Sequence, residues 1–352
     1  MKIIITSTFS WEKKGGVPTF VNGTYTKEKK KGNNIKVFGI GSSKNDFISL
    51  SKTHTSVNYL KVWYYLLKNL RKIKNISKIE IHNGIIGFPL FFIYKTTYFF
   101  HGPAYEEAVT EKKSYFYLAA IFLIENLIFF RANSFHVISM AYKKKLQTYF
   151  FAKNKPIEII SPVVVEKMNN NIFMKNKKNQ NFIKIICVRR LVKRTGVLEF
   201  INFLKKLSDD TRFRNKLDLI IVGTGPEKKN IEKSINFDSD KVKITLLGNI
   251  SDKKRSKLFF ESDYNIVPTV ALEGFGLVVI EAGLQGCPSI VSNVGALPDV
   301  VSDNPISFVY KNQKELKSIF SNLNKPSKID KINTSKFFKS KYGINDYYRL
   351  LS

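Results

Sequence analysis

Short β-rich runs alternate with longer amphipathic stretches along almost the whole chain. In the first half, residues 2–6, 35–39, 78–82, 97–101, 134–139 and 156–161 are compact blocks of β-branched and aromatic residues and read as strands. Between them, 16–31, 56–74, 112–130 and 141–151 repeat apolar residues at helical spacing, with a shorter helical stretch near 85–94. Residues 167–181 are polar, rich in Asn and Lys and aperiodic, which is linker composition. The alternation then restarts. Strands are predicted at 182–188, 217–222, 242–247, 264–268, 288–292 and 306–310, and helices at 197–207, 227–235, 252–261, 276–285 and 313–323. This order predicts parallel sheets covered by helices on both faces. The expected fold class is therefore α/β, with doubly wound domains at 1–165 and 182–334 joined by a linker at 166–181. The tail, 335–352, is amphipathic and suited to packing back on the first domain.

The 352 residues accommodate two domains of ordinary size. No apolar run reaches bilayer-spanning length, and the nearest candidate, 115–130, is interrupted by Glu125. The start, MKIIITSTFSWEKK, is too short and too soon polar for a secretory signal and reads as a first buried strand. Cys187 and Cys287 sit in or beside predicted core strands, which fits a reducing, cytoplasmic compartment. The net charge of +30 attracts nucleic acid, anionic lipid and polyphosphate without choosing among them. The aromatics fall in periodic, buried-looking runs and no nucleic-acid motif is present, so no nucleic-acid partner is expected. Residues 57–73, VNYLKVWYYLLKNLRKI, combine apolar and aromatic positions with Lys61, Lys68, Arg71 and Lys72. Such a helix suits the surface of an anionic membrane, here its cytoplasmic face.

The densest chemistry lies in 267–301, VPTVALEGFGLVVIEAGLQGCPSIVSNVGALPDVV. Glu273 precedes a Gly274-Phe275-Gly276 turn, and Glu281 follows within the helical run that begins at Leu277. A strand–turn–helix here places a carboxylate beside the unpaired N–H groups and positive dipole end of a helix, a ready site for phosphate. Glu281, deeper along the helix, can accept two hydrogen bonds from a vicinal diol. This segment resembles the nucleotide-sugar site of glycosyltransferase family 4, the retaining transferases of GT-B fold. The resemblance implies two Rossmann-like domains facing across a cleft. It also implies that Glu273 contacts the donor sugar, Glu281 holds the ribose, and the amides of Gly274, Phe275, Gly276 and Leu277 cradle sugar and diphosphate.

Other stations fit the same pattern. Gly15-Gly16 is a glycine turn opening a helix, where backbone can approach a diphosphate closely. His101 ends a predicted strand, and the resemblance puts it near the transferred sugar; His82, at another strand end, is the weaker candidate. Residues 189–196, RRLVKRTG, resemble the family's RLxxxKG segment, which makes Arg190 the diphosphate clamp. The lysine station holds Thr195, which carries no charge, and Arg194 is the neighbouring substitute. Gly223, in the turn Gly223-Thr224-Gly225-Pro226, and Ile250, after Gly248-Asn249, match turns that border the donor in relatives. Asp238-Ser239-Asp240 spells a DxD, but before a strand, where a metal DxD is not found.

The implied activity is retaining, metal-independent transfer of a hexose from a nucleotide sugar, expected to be a UDP-sugar, to a glycan or lipid-linked glycan of a cell-surface polysaccharide. No cofactor is expected. Two alternatives stay open: a GT-B sugar-nucleotide epimerase, and a non-catalytic basic protein that binds nucleic acid or anionic membrane.

Overall fold

The computed structural model describes residues 1–9, 16–52, 57–160 and 181–342. The chain divides into two compact units, Met1–Val163 and Val164–Ser352. Gly15, most of the expected linker and the end of the tail lie outside the described residues.

The first unit runs β1 (Lys2–Thr8), α1 (Gly16–Lys30), β2 (Ile35–Ile40), β3 (Phe47–Ser51), α2 (Tyr59–Leu70), β4 (Lys78–Ile81), α3 (Leu90–Ile93), β5 (Thr96–Phe100), α4 (Ala104–Thr110), α5 (Tyr115–Arg131), β6 (Ser134–Val137), α6 (Met140–Gln147) and β7 (Ile157–Ile159). Its seven strands are parallel in the order β3-β2-β1-β4-β5-β6-β7. One strand was not foreseen. β3 is five residues long, half-buried at the sheet edge, and follows the polar Lys44-Asn45-Asp46, so its pattern is weak in sequence. α4 was also unforeseen. It follows Pro103, and its first amides, of Ala104 and Tyr105, donate to the buried Glu125 carboxylate at 2.8 and 3.3 Å. The glutamate that interrupts the apolar run of α5 is thus the cap of a neighbouring helix.

The second unit runs β8 (Phe182–Val188), a 3-10 turn (Lys193–Thr195), α7 (Val197–Ser208), β9 (Lys216–Val222), α8 (Lys228–Ser234), β10 (Val242–Gly248), α9 (Asp252–Glu261), β11 (Tyr264–Val267), α10 (Leu277–Leu284), β12 (Ser289–Ser292), α11 (Leu297–Val301), β13 (Phe308–Tyr310), α12 (Gln313–Ser321) and α13 (Lys328–Tyr342). The parallel order is β10-β9-β8-β11-β12-β13, and all six strands fall where the alternation predicts them. A core of Ile183, Ile185, Leu204, Leu219, Ile221, Ile266 and Ile290, among others, fills one side of the sheet. The tail helix begins earlier than expected, at Lys328, and through Tyr342 it packs on α10. Gly283 permits this: a Cβ there would lie 2.1 Å from the Phe338 ring. Ser335 Oγ adds a hydrogen bond to the Leu284 carbonyl at 2.8 Å. Residues 343–352 are outside the described residues.

Candidate active site

In the second sheet the strand order reverses between β8 and β11. A parallel sheet binds ligands outside the carboxyl ends of its strands, at such a switch point. The loops that leave β8 (189–196) and β11 (268–276) flank it. They meet backbone to backbone: Gly196 has φ +69°, and a Cβ there would stand 1.9 Å from the Pro268 carbonyl oxygen. The amides of Val270 and Ala271 donate to the Arg194 carbonyl at 2.9 and 3.3 Å.

Glu273 sits at this junction. Its Oε2 accepts from Arg189 Nη2 at 2.5 Å and from Thr269 Oγ1 at 3.2 Å, and its Oε1 accepts from the Gly276 amide at 3.1 Å. Arg189 Nη2 also donates to Thr269 Oγ1 at 2.8 Å. Both partners of the ion pair are nearly buried, with side chains 10% and 12% exposed. Burial alone would raise the Glu273 pKa. The Arg189 guanidinium outweighs it, with help from Arg194 and Thr269, and holds the carboxyl below its ordinary value. The preceding residue, Leu272, is in the left-handed region at φ +57°, a conformation that costs a non-glycine residue about 1 kcal/mol or more. Its carbonyl accepts from Arg194 Nη1 at 3.1 Å. Arg194 therefore does bring its charge to the Glu273 loop.

Arg190, assigned from sequence as the clamp, is exposed, and the residue that grips Glu273 is its neighbour Arg189. Thr195 is 2% exposed and donates to the carbonyls of Arg190 (2.9 Å) and Val192 (2.7 Å). At the lysine station the chain has a buried turn-former. Gly276, φ +80°, is the N-cap of α10 and makes no side-chain cap bond, so the helix opens on backbone amides at Leu277. The Phe275 ring is 8% exposed and packs edge-on against Tyr342, so this turn offers backbone and not ring to a ligand. Glu281, one-fifth exposed, lies 3.4 Å from Arg255 Nε on α9, and Arg255 Nη1 is 3.1 Å from Asp252. Arg255 carried no signal in the sequence beyond being one more basic residue on a helix. Gly223 donates its amide to Gly248 O at 2.9 Å, and Ile250 follows β10 half-buried. Asp238 and Asp240 are exposed in the loop before β10, whose Ser239 Oγ accepts from the Lys241 and Val242 amides. Cys187 and Cys287 are buried free thiols pushed up to about 12 by burial, which leaves them unreactive.

In the first unit the strand order reverses between β1 and β4, and His82 stands at the end of β4. Its amide donates to the Ile5 carbonyl at 2.7 Å. His101, partly buried at the end of β5, has its Nε2 2.8 Å from His82 Nδ1, and His82 Nε2 is 2.7 Å from Glu80 Oε1. His82 is thus the inner member of a chain that reaches His101, and Glu80 was missed. Its signal was the period-two alternation of Lys78, Glu80 and His82 along β4. Gly16 is the first residue of α1 and exposed.

The expected membrane helix, α2, buries Val62, Leu66 and Leu70, and Trp63 is tied into the fold by its Nε1 bond to Ile85 O at 2.9 Å. Tyr59, Leu60, Tyr64 and Tyr65 remain exposed. α5 exposes more. It buries only Ile121, Glu125, Ile128 and Phe129, while Tyr115 and Phe116 are about nine-tenths exposed and Phe122, Leu123 and Phe130 about half. Among the described residues no helix is long and apolar enough to cross a membrane.

Tandem doubly wound parallel sheets, with an acid–base pair and a helix N-terminus at the second switch point, are the frame of a glycosyltransferase of GT-B fold. Residues 168–331 match the family Glycosyl transferases group 1. It is 26% identical over 275 residues to an uncharacterised 41.2 kDa protein of the cps region of Klebsiella pneumoniae, covering 72% of this chain and 70% of that one. It is 28% identical over 201 residues to the capsular polysaccharide biosynthesis glycosyltransferase CapM of Staphylococcus aureus, covering 54% and 51%. Among solved structures, sucrose-phosphate synthase from Thermosynechococcus elongatus superposes with a TM-score of 0.75 at 16% identity, over 99% of this chain and 98% of that one. Anabaena Alr3699/HepE, in complex with UDP and glucose, superposes at 0.70 and 16% identity, over 100% and 98%. At these identities the structural likeness speaks for the fold alone.

Proposed function

We propose that this chain is a retaining, metal-independent transferase that moves a hexose from a nucleotide sugar to a glycan or lipid-linked glycan in cell-surface polysaccharide synthesis. The observation that carries the reading is the placement of Glu273 and the α10 N-terminus together at the switch point of the second sheet. The capsular polysaccharide biosynthesis glycosyltransferase CapM among the relatives supports the pathway, and the UDP and glucose complex of the Anabaena protein supports a UDP-sugar donor.

In this reading Glu281 accepts the ribose hydroxyls and Glu273 meets the donor sugar. Charge on the departing diphosphate is met by Arg190, Arg194 and the amides from Leu277 onward. The bond from the anomeric carbon to the diphosphate breaks, and the acceptor oxygen bonds the same carbon on the same face. The acceptor proton passes to the leaving phosphate oxygen, so no enzyme nucleophile is needed. Trapping of a covalent glycosyl-enzyme would overturn this step.

Incubation with UDP-, GDP- and ADP-sugars, with and without membrane extract, tests the reading. The expected result is release of one nucleoside diphosphate and a labelled glycan in the extract. An altered nucleotide sugar formed without acceptor would instead indicate an epimerase. For the acceptor side, the reading places α5 in the membrane interface, with Tyr115, Phe116, Leu123 and Phe130 toward the lipid and Lys112, Lys113 and Arg131 at its ends. The double variant Phe116→Glu, Leu123→Glu should lose binding to vesicles containing phosphatidylglycerol while keeping its melting temperature; undiminished binding would remove α5 from the reading.

A further inference from the structure

Three strands of the first sheet contribute to one row of polar side chains. Lys78, Glu80 and His82 alternate along β4, with Lys2 opposite on β1 and His136 on β6. The other side of β4, Ile79 and Ile81, belongs to the hydrophobic core. Glu80 is 2% exposed and the His82 side chain fully buried. A buried polar row of this kind is tolerated only when its members satisfy one another.

We propose that Glu80 and His82 fix His101 as the tautomer protonated on Nε2, so that its Nδ1 is a standing hydrogen-bond acceptor at the carboxyl edge of the first sheet. The protons follow from the partners. A carboxylate can only accept, so His82 Nε2, 2.7 Å from Glu80 Oε1, carries a proton. A neutral His82 then has a bare Nδ1, and His101 Nε2, 2.8 Å away, must donate to it. His101 is left with Nδ1 unprotonated.

Glu80 is held as the anion by its surroundings: Lys2 Nζ is 3.1 Å and His136 Nδ1 3.3 Å from Oε2. Burial would raise its pKa, but His136, His82 and Lys2 outweigh burial and hold it well below the ordinary value. Burial also lowers the pKa of His82, against the pull of Glu80, and lowers that of His101 further with the help of His82. The rings cannot turn freely. The Phe99 ring stacks on His82 at 4.5 Å and on His101 at 4.6 Å, and Phe20 from α1 packs on Phe99 at 4.6 Å.

Glu80 and His82 are positioning residues here: they act through His101. On the glycosyltransferase reading, on which this role rests, the group that meets Nδ1 is a hydroxyl of a bound sugar. A histidine presented the other way would offer that hydroxyl an N–H instead.

The test reads protonation directly. The chain has four histidines, so imidazole nitrogens of the full-length protein can be assigned by one-at-a-time substitution in long-range proton–nitrogen NMR spectra. At neutral pH the His101 signals should show a protonated Nε2 and a bare Nδ1. In His82→Phe they should move to values averaged between the two tautomers. Glu80→Gln keeps the shape of the carboxylate but no longer compels a proton on His82 Nε2, and should cause the same averaging. A His101 protonated on Nδ1 in the native protein, or His101 nitrogen shifts unchanged in both variants, would overturn the proposal. The native spectrum decides even if a variant fails to fold. Because no donor is needed, failure of the transferase reading would leave the tautomer result standing.

Discussion

Arg189 and Glu273, 84 residues apart in the chain, meet at 2.5 Å across the switch point of the second sheet. The pair is nearly buried, so removing one member strands the other. Arg189→Met should cost about 3 kcal/mol of stability, since it leaves a buried carboxylate unpaired. Burial would then dominate, and the Glu273 pKa should rise from its depressed value. Urea unfolding and the acid limb of the pH–activity profile would both register this, with the limb moving to higher pH. Arg190→Ala, at an exposed position, should spare stability and weaken nucleotide binding. If Arg190→Ala changed neither, the diphosphate would have another clamp.

Gly295 has φ +59°, and a Cβ there would stand 1.9 Å from the Glu273 carbonyl oxygen. Gly295→Ala has no room unless the Glu273 loop moves. Turnover should fall at least tenfold and the melting temperature should drop by several degrees. An alanine variant with native turnover would show that the loop position is unimportant.

Glu281 and Arg255 provide a milder test. Arg255 Nε lies 3.4 Å from the Glu281 carboxylate. Glu281→Ala should chiefly raise the KM for the donor, as loss of a binding contact does, whereas Glu273→Gln should lower kcat. Arg255→Ala removes one partner of the Glu281 carboxylate and should raise the donor KM less than Glu281→Ala. Steady-state kinetics on one donor series would separate the three, and native kinetics for both glutamate variants would remove the donor-site assignment.

The polar row of the first sheet makes stability fall with acid. His82 and His101 lie below the ordinary value of 6.5, chiefly because burial disfavours their charged forms. The unfolded chain therefore binds more protons than the folded one between the two values. The corresponding stability is present above about 6.5 and is lost as pH falls through the folded values. Glu80, held well below its ordinary 4.5, adds a second loss lower down. The charged groups facing this row are Lys2 and Lys78, with Glu158 on β7 next to His136 and Glu28 on α1 next to Lys2. Urea midpoints should be flat above neutrality and decline below about pH 6.5, with a shallower decline in His82→Phe. A midpoint constant down to about pH 5 would contradict the buried, neutral state of the histidines.

The sequence by itself determined the order of elements. Period-two and helical spacings depend on near neighbours, so all six strands of the second unit and six of the seven in the first were read within a few residues of their places. The weak edge strand β3 and the helix α4, capped from another helix by Glu125, were not, because their support is not local. The Glu273–Glu281 motif was likewise visible, since a turn and a helix start are local chemistry. Tertiary structure alone decided which arginine of the Arg189-Arg190 doublet turns to Glu273, because neighbours at a strand end point to different sides. It also joined Glu80, His82 and His101: the parallel pairing of β4 with β5 brings together residues 19 apart that share no local pattern. An all-round apolar helix such as α5 has no preferred face in sequence, and only packing showed which of its sides was left uncovered.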